Sequence, residues 1–238
     1  MEQPLSENFD FPRASVLCST DRKILGRFRE TGKSVVYRRP KLASEISAYV
    51  NEICTDKRHF EKMHNLDELL LVVEIADDKI IYRPSTSGVV QEKISQLGLP
   101  PTIYDLSEIF WEKNAEAFVN DLEVRIREDA QCVSETPDHL VMLFRTAGTP
   151  TLKFHKDRWP VLGTNYGVAG TEFGEEKDFI PALFAHGDEK DFFPKKGAAL
   201  YQLAAGDISI LNIPHRSGTC GDENQYRLWV GLYSALGS

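Results

Sequence analysis

Four cysteines, Cys18, Cys54, Cys132 and Cys220, are scattered over 238 residues and form no CxxC pair. That spacing indicates neither a disulfide framework nor a thiolate zinc site. Cys220 lies in a Gly-rich loop five residues after a histidine of interest, but it has no neighbouring base in sequence and reads as structural. No run approaches the roughly 18 apolar residues of a membrane span, and the opening MEQPLSENFDF lacks the apolar core of a signal peptide. A cytoplasmic location with no membrane partner is expected. Positive charge is also in short supply: 28 Lys and Arg face 36 Asp and Glu, a net charge of −8. Such a balance repels phosphate backbones, so nucleic acid is disfavoured as a partner. The one basic run, RKILGRFRETGKSVVYRR (residues 22–39), holds seven Lys and Arg and reads as a solvated helix face. Neither an internal repeat nor a G-x-S-x-G hydrolase motif is present.

What remains is an ordinary globular composition, long enough for one large domain or two small ones. The chain divides by texture. Residues 1–136 read as mainly helical. LASEISAYVNEI (42–53) places Leu42, Ile46, Tyr49, Val50 and Ile53 on one stripe, and a longer helix is expected from near Tyr104 to about Glu128, with Thr102 or Asp105 as its cap. SVVYRR (34–39) reads as a short strand, and ELLLVVEIAD (68–77) as a buried strand or helix that periodicity does not separate. From 137 to 238, HLVMLFRTA, TLKFH, VLGTNYGV, AALYQLA, DISILNI and YRLWVGLY alternate with turn residues. Short strands at such spacing predict an antiparallel sandwich, jelly roll or barrel. The fold class expected is α+β, one composite domain in which the helices pack on one face of a C-terminal β-roll.

In the β half, FHKD places His155 and Asp157 two apart on a strand, where alternate side chains share a face and can offer an imidazole nitrogen and a carboxylate oxygen to one cation. The pattern itself is common. Chance supplies roughly one His-x-acid pair in a chain of this composition, and three occur: His59/Glu61, His155/Asp157 and His186/Asp188. The first falls in a helical stretch, where i and i+2 diverge, and the third in an acidic turn-like run. His215, in IPHRSG, is the natural third ligand, and it follows the turn-and-strand segment GDISIL. Arg227 opens the last run, where alternation puts Arg227, Trp229, Gly231 and Tyr233 on one face and Leu228, Val230 and Leu232 on the other. Two histidines and one carboxylate make a facial triad with open positions for substrate and oxygen.

The order FHKDR, NYGVAGTEF, GDISIL, HRSG and YRL resembles a bacterial family designated only as a domain of unknown function, with the pattern F-H-x-D-R, G-T-E-W, G-D-(V/I)-x-L-L, H-R-S-P and R-L. Phe173 stands where that pattern has Trp, and Gly218 where it has Pro. More distantly it resembles the Fe(II)- and 2-oxoglutarate-dependent oxygenases. That resemblance implies a double-stranded β-helix (the cupin-like jelly roll), with Fe(II) on His155, Asp157 and His215. It also implies 2-oxoglutarate on Arg227, with Tyr166 as a second contact; Arg158, Asn165, Thr171, Glu172 and Trp229 are candidates for the cavity wall. The substrate would be a small molecule or a protein side chain. Two other classes compete: a cupin-like metal enzyme that uses no 2-oxoglutarate, and a non-catalytic roll that binds no metal. Each residue also has a plain structural use. His155 could bond a backbone carbonyl, Asp157 could pair with Arg158, and Arg216 and Arg227 could serve Glu172 or Asp207.

Overall fold

The computed structural model describes residues 11–12, 14–39, 42–111, 114–134, 140–146, 153–167, 170–182, 190–218 and 225–234. Its strands, in chain order, are β1 (Val16–Ser19), β2 (Ser34–Tyr37), β3 (Leu70–Ala76), β4 (Lys79–Pro84), β5 (Leu140–Arg145), β6 (Phe154–Lys156) and β7 (Leu162–Asn165). They continue with β8 (Glu172–Phe173), β9 (Phe179–Pro181), β10 (Lys190–Pro194), β11 (Tyr201–Gln202), β12 (Ile208–Ile210), β13 (His215–Arg216) and β14 (Trp229–Ser234). Two sheets result. The larger has eight strands in the order β1-β2-β12-β7-β14-β5-β3-β4, and the smaller has six, β11-β8-β13-β6-β10-β9. All pairings are antiparallel except β1 with β2. From β5 onward the chain passes between the sheets: β5, β7, β12 and β14 belong to the larger, β6, β8 and β13 to the smaller.

Among the described residues the α-helices are α1 (Arg27–Thr31), α2 (Ser44–Thr55), α3 (Phe60–Leu66), α4 (Gly88–Leu97) and α5 (Ala115–Val124), and α2 and α5 cover one face of the larger sheet. α2 buries Ile46, Tyr49, Val50 and Ile53 of the predicted stripe, whose fifth member, Leu42, precedes the helix and is partly buried, and α5 buries Phe118 and Leu122. These side chains share one core with Phe144, Leu162, Leu228, Val230 and Leu232 of the sheet. The alternation expected for the last run is therefore observed, with its aliphatic members turned to the helices. The strand itself begins at Trp229, and Arg227 precedes it, buried.

Two expectations are corrected. The helix predicted from Tyr104 to Glu128 is broken: Leu106–Glu108 is a single 3-10 turn capped by Asp105, α5 starts only at Ala115, and a π-helical turn, Arg125–Asp129, follows it. Leu106, Ile109 and Phe110 reach the same core as Phe118 and Leu122, so the hydrophobic spacing joined two separate elements. Nor does the 1–136 stretch merely lie on the β core, because it contributes β1 to β4 to the larger sheet. β2 lies between β1 and β12, and β3 pairs with β5. The ambiguous ELLLVVEIAD segment is β3, joined to β4 by a two-residue turn in which Asp77 and Asp78 both have positive φ, 50° and 61°. Positive φ at both central residues is the hairpin geometry that matches strand twist.

Four of the seven cations of the basic run form ion pairs within the chain, while Lys23, Arg29 and Lys33 are exposed. Arg22 pairs with Glu128 and Asp129, Arg27 with Glu30, Arg38 with Asp207 and Arg39 with Asp121. Among the described residues no helix is long and apolar enough to cross a membrane, and Cys18, Cys54 and Cys132 form no disulfide. Cys220, His186 and Asp188 lie outside the described residues.

Candidate metal centre

β6 and β13 are antiparallel neighbours, and His155 and His215 are direct register partners. Cross-strand partners project to the same face, which brings the imidazole centroids to 4.6 Å. Asp157, two residues past His155 and just beyond the end of β6, reaches the same point. Its Oδ1 lies 3.6 Å from His155 Nε2 and its Oδ2 3.3 Å from His215 Nε2. One donor atom from each of the three residues lies within 4.8 Å of the others.

The donor set fits a first-row cation. Two ligands about 2.1 Å from a shared metal stand about 3.0 Å apart at a right angle and about 3.4 Å apart at a tetrahedral one, close to the spacings found. Each imidazole is also oriented from behind. His215 Nδ1 donates to the Ile213 carbonyl at 2.9 Å and His155 Nδ1 to the Lys153 carbonyl at 3.3 Å. A carbonyl only accepts, so the proton belongs on Nδ1 and the lone pair on Nε2, facing Asp157. Two imidazole lone pairs and a carboxylate directed at one point repel each other unless a cation or protons lie between them. With protons rather than a cation at that point, burial pushes the Asp157 carboxyl up, but the hydrogen bond from a protonated His215 and the charges of His215 and His155 outweigh it, and the carboxyl ends below its ordinary value.

These donors open into a cavity of about 360 Å³ lined by residues of both sheets, in the lower part of the range of roughly 300–1,000 Å³ for small-molecule sites. Arg145, Arg158, Arg216 and Arg227 line it, with Asp157 as the one carboxylate among the described lining residues. A local excess of cations thus sits within an acidic chain. Arg227 is 6% exposed. Arg216 is held by Glu172 at 2.7 and 2.8 Å and lies over the Phe154 ring.

Of the residues expected at the site, His155, Asp157, His215, Arg227, Arg158 and Trp229 meet around this cavity. Tyr166, Asn165 and Glu172 do not line it. Tyr166 follows Leu162 and Thr164 in alternation and so turns to the helix side. There it donates to Asp121 at 2.6 Å and accepts from Arg125 at 3.2 Å, and burial pushes its hydroxyl up to about 12. Asn165 is the register partner of Trp229 but is buried, with Nδ2 donating to the Gly167 carbonyl. Glu172 acts behind the wall through Arg216. Thr171, a sequence candidate, does line the cavity, whereas Arg145 and Leu143 were missed; alternation in HLVMLFR puts Leu143 and Arg145 on one face, but only the pairing of β5 with β14 aims that face at the cavity. Buried Arg125 was missed too, since a helix arginine ordinarily faces water. Of the two pattern departures, Gly218 has a local reason: a Cβ there would lie 2.0 Å from the Gly170 carbonyl oxygen.

No protein-family model matches the chain, and no curated protein matches it. Among solved structures it is similar to Escherichia coli YcfD at 18% identity and a TM-score of 0.39, covering 87% of this chain and 52% of that one. A second structure, of the Escherichia coli ribosomal oxygenase YcfD, gives 14% identity and a TM-score of 0.35 over 87% and 50% of the two chains. Hazelnut (Corylus avellana) vicilin gives 8% and 0.27 over 73% and 68%. The chain spans about half the length of the two YcfD chains. Likeness of this degree carries no chemistry across, so the functional reading rests on the donor set and its cavity.

Proposed function

We propose that the protein is an Fe(II)- and 2-oxoglutarate-dependent oxygenase built on a double-stranded β-helix, with His155, Asp157 and His215 as the iron ligands. The observation that carries this reading is the convergence of two Nε2 atoms and one carboxylate, each imidazole oriented by a backbone carbonyl, at the wall of a cation-rich cavity. Strand alternation between two sheets that share this cavity supports the β-helix. Bound iron would supply dioxygen activation coupled to the oxidative decarboxylation of 2-oxoglutarate.

The chain's own groups perform the remaining tasks. The Lys153 and Ile213 carbonyls hold the imidazoles in the tautomer that leaves Nε2 basic. Asp157 supplies the one negative charge, offsetting half of a divalent cation. Arg227, buried beside the donors, suits the distal carboxylate of a keto acid, because a guanidinium fork offers parallel hydrogen bonds and burial strengthens them. Arg216, fixed by Glu172, adds to the positive field that draws a dianion into the site. A substrate of small-molecule or side-chain size, and a cytoplasmic setting, belong to the same proposal.

The test is anaerobic reconstitution with Fe(II), followed by assay of succinate formed from 2-oxoglutarate in air. About one iron per chain and iron-dependent succinate are expected, with His155→Ala losing both. Arg227→Ala should retain iron while losing affinity for 2-oxoglutarate by about 100-fold, the scale of a buried charged pair. Iron retention with no effect of 2-oxoglutarate on thermal stability or turnover would favour a metal enzyme that uses another co-substrate.

A further inference from the structure

The cavity has two unlike walls. β6 and β13 present the metal donors, whereas β5 and β14 of the larger sheet present Leu143, Trp229 and Tyr233, each partly exposed. The Trp229 indole is set against that sheet by two glycines. Gly163 and Gly231 are register partners on β7 and β14. A Cβ at Gly231 would stand 2.3 Å from indole Cη2 and 2.7 Å from Cζ3, and one at Gly163 would stand 3.1 Å from Cζ2 and Nε1. The ring therefore spans both strands, its inner side against bare backbone and its outer side toward the cavity. Glycine opposite glycine removes a stabilising cross-strand pair and marks a close approach; here the approach is an aromatic shelf.

Charge is placed beside the shelf. Arg145 is the register partner of Trp229 on β5, so its side chain leaves the sheet on the same face. Its Nη1 donates to Glu68, and a guanidinium has five donors, enough for a second anion. The one carboxylate among the described lining residues, Asp157, belongs to the metal donors. An aromatic floor bordered by a guanidinium matches a flat ring with a carboxylate at its edge.

We propose that Trp229 and Arg145 form a substrate subsite for a small aromatic carboxylate, its ring stacked on the indole and its carboxylate held by Arg145. The word substrate rests on the oxygenase reading; the binding itself requires no metal. Isothermal titration of the metal-free full-length chain with benzoate, benzyl alcohol and cyclohexanecarboxylate separates the two contributions. Benzoate should bind about tenfold more tightly than either analogue, from stacking on one side and charge on the other. Trp229→Leu should bring benzoate to the level of cyclohexanecarboxylate, Trp229→Phe should preserve most of the margin, and Arg145→Gln should erase the margin over benzyl alcohol. Should Trp229→Leu fail to fold, the Phe and Gln variants decide the matter. Equal affinities for the three probes, no benzoate binding, or benzoate binding unaltered by Arg145→Gln would each overturn the subsite. A chain that binds benzoate as described yet forms no succinate loses the oxygenase reading and keeps the subsite. One that forms succinate and ignores benzoate loses the subsite alone.

Discussion

His155 and His215 each bond a backbone carbonyl two residues upstream, the arrangement of a satisfied structural histidine. The plain reading and the ligand reading thus describe opposite nitrogens of the same ring. What separates these two histidines from His59, whose Nδ1 accepts from the Trp111 indole, is that their Nε2 atoms meet a carboxylate. Asp157 makes that meeting measurable through pH. Its carboxyl holds a proton less tightly in the folded chain than its ordinary value implies. Across that interval the unfolded chain binds more protons and stability rises with pH. Asp157's contribution is complete above the unfolded aspartate value and is lost as pH falls through the folded one. Urea unfolding of the metal-free chain from about pH 6 to about pH 3 should show this loss, and Asp157→Asn should flatten the acid limb. An unchanged slope would remove Asp157 from the account.

Elements were legible where local chemistry is strict. The α2 stripe and the alternation of β14 follow from periodicity, because one face of each is buried in the shared core, and β2 follows from β-branched residues that end at Pro40. The long helix was not, since Leu106 and Phe110 satisfy helical spacing with Phe118 while a 3-10 turn and a separate helix deliver them to that core. The β3–β4 hairpin was open between strand and helix for a related reason: Leu69 to Val73 is a continuous apolar run with no period to read, and the Asp77-Asp78 turn lacks the glycine such a turn favours. That departure carries a cost. Asp78→Gly, at φ 61°, should stabilise the chain by about 1 kcal/mol through relief of the left-handed conformation, visible as a raised denaturation midpoint with an unchanged m-value. A lowered midpoint would mean that the Asp78 side chain stabilises the turn by more than its backbone strain.

At the scale of the whole molecule, the two textures of the chain are woven into one sheet. β2 hydrogen-bonds β12 and β3 hydrogen-bonds β5, so residues 137–238 alone would expose two unsatisfied strand edges as well as the aliphatic face that α2 and α5 cover. A fragment of residues 137–238 should show no cooperative thermal transition by circular dichroism, while the full chain melts in one. Independent melting of the fragment would make the β half a separate domain. The acidic net charge likewise resolves into a pattern, with four arginines of the basic run paired to carboxylates and others gathered at the cavity.

The sequence by itself determined the candidate donor residues and the face of the last strand, because a period of two on a strand and the chemistry of imidazole and carboxylate are local properties. It also carried the mixture of helices with antiparallel strands. Only the tertiary structure decided which strands are neighbours. The register of β13 on β6 brings His215 to His155, that of β5 on β14 brings Arg145 to the cavity, and the packing of the helices on one face of β7 makes that face, which carries Tyr166, the one turned away from the cavity. Register depends on contacts between residues far apart in the chain, and no local spacing encodes it.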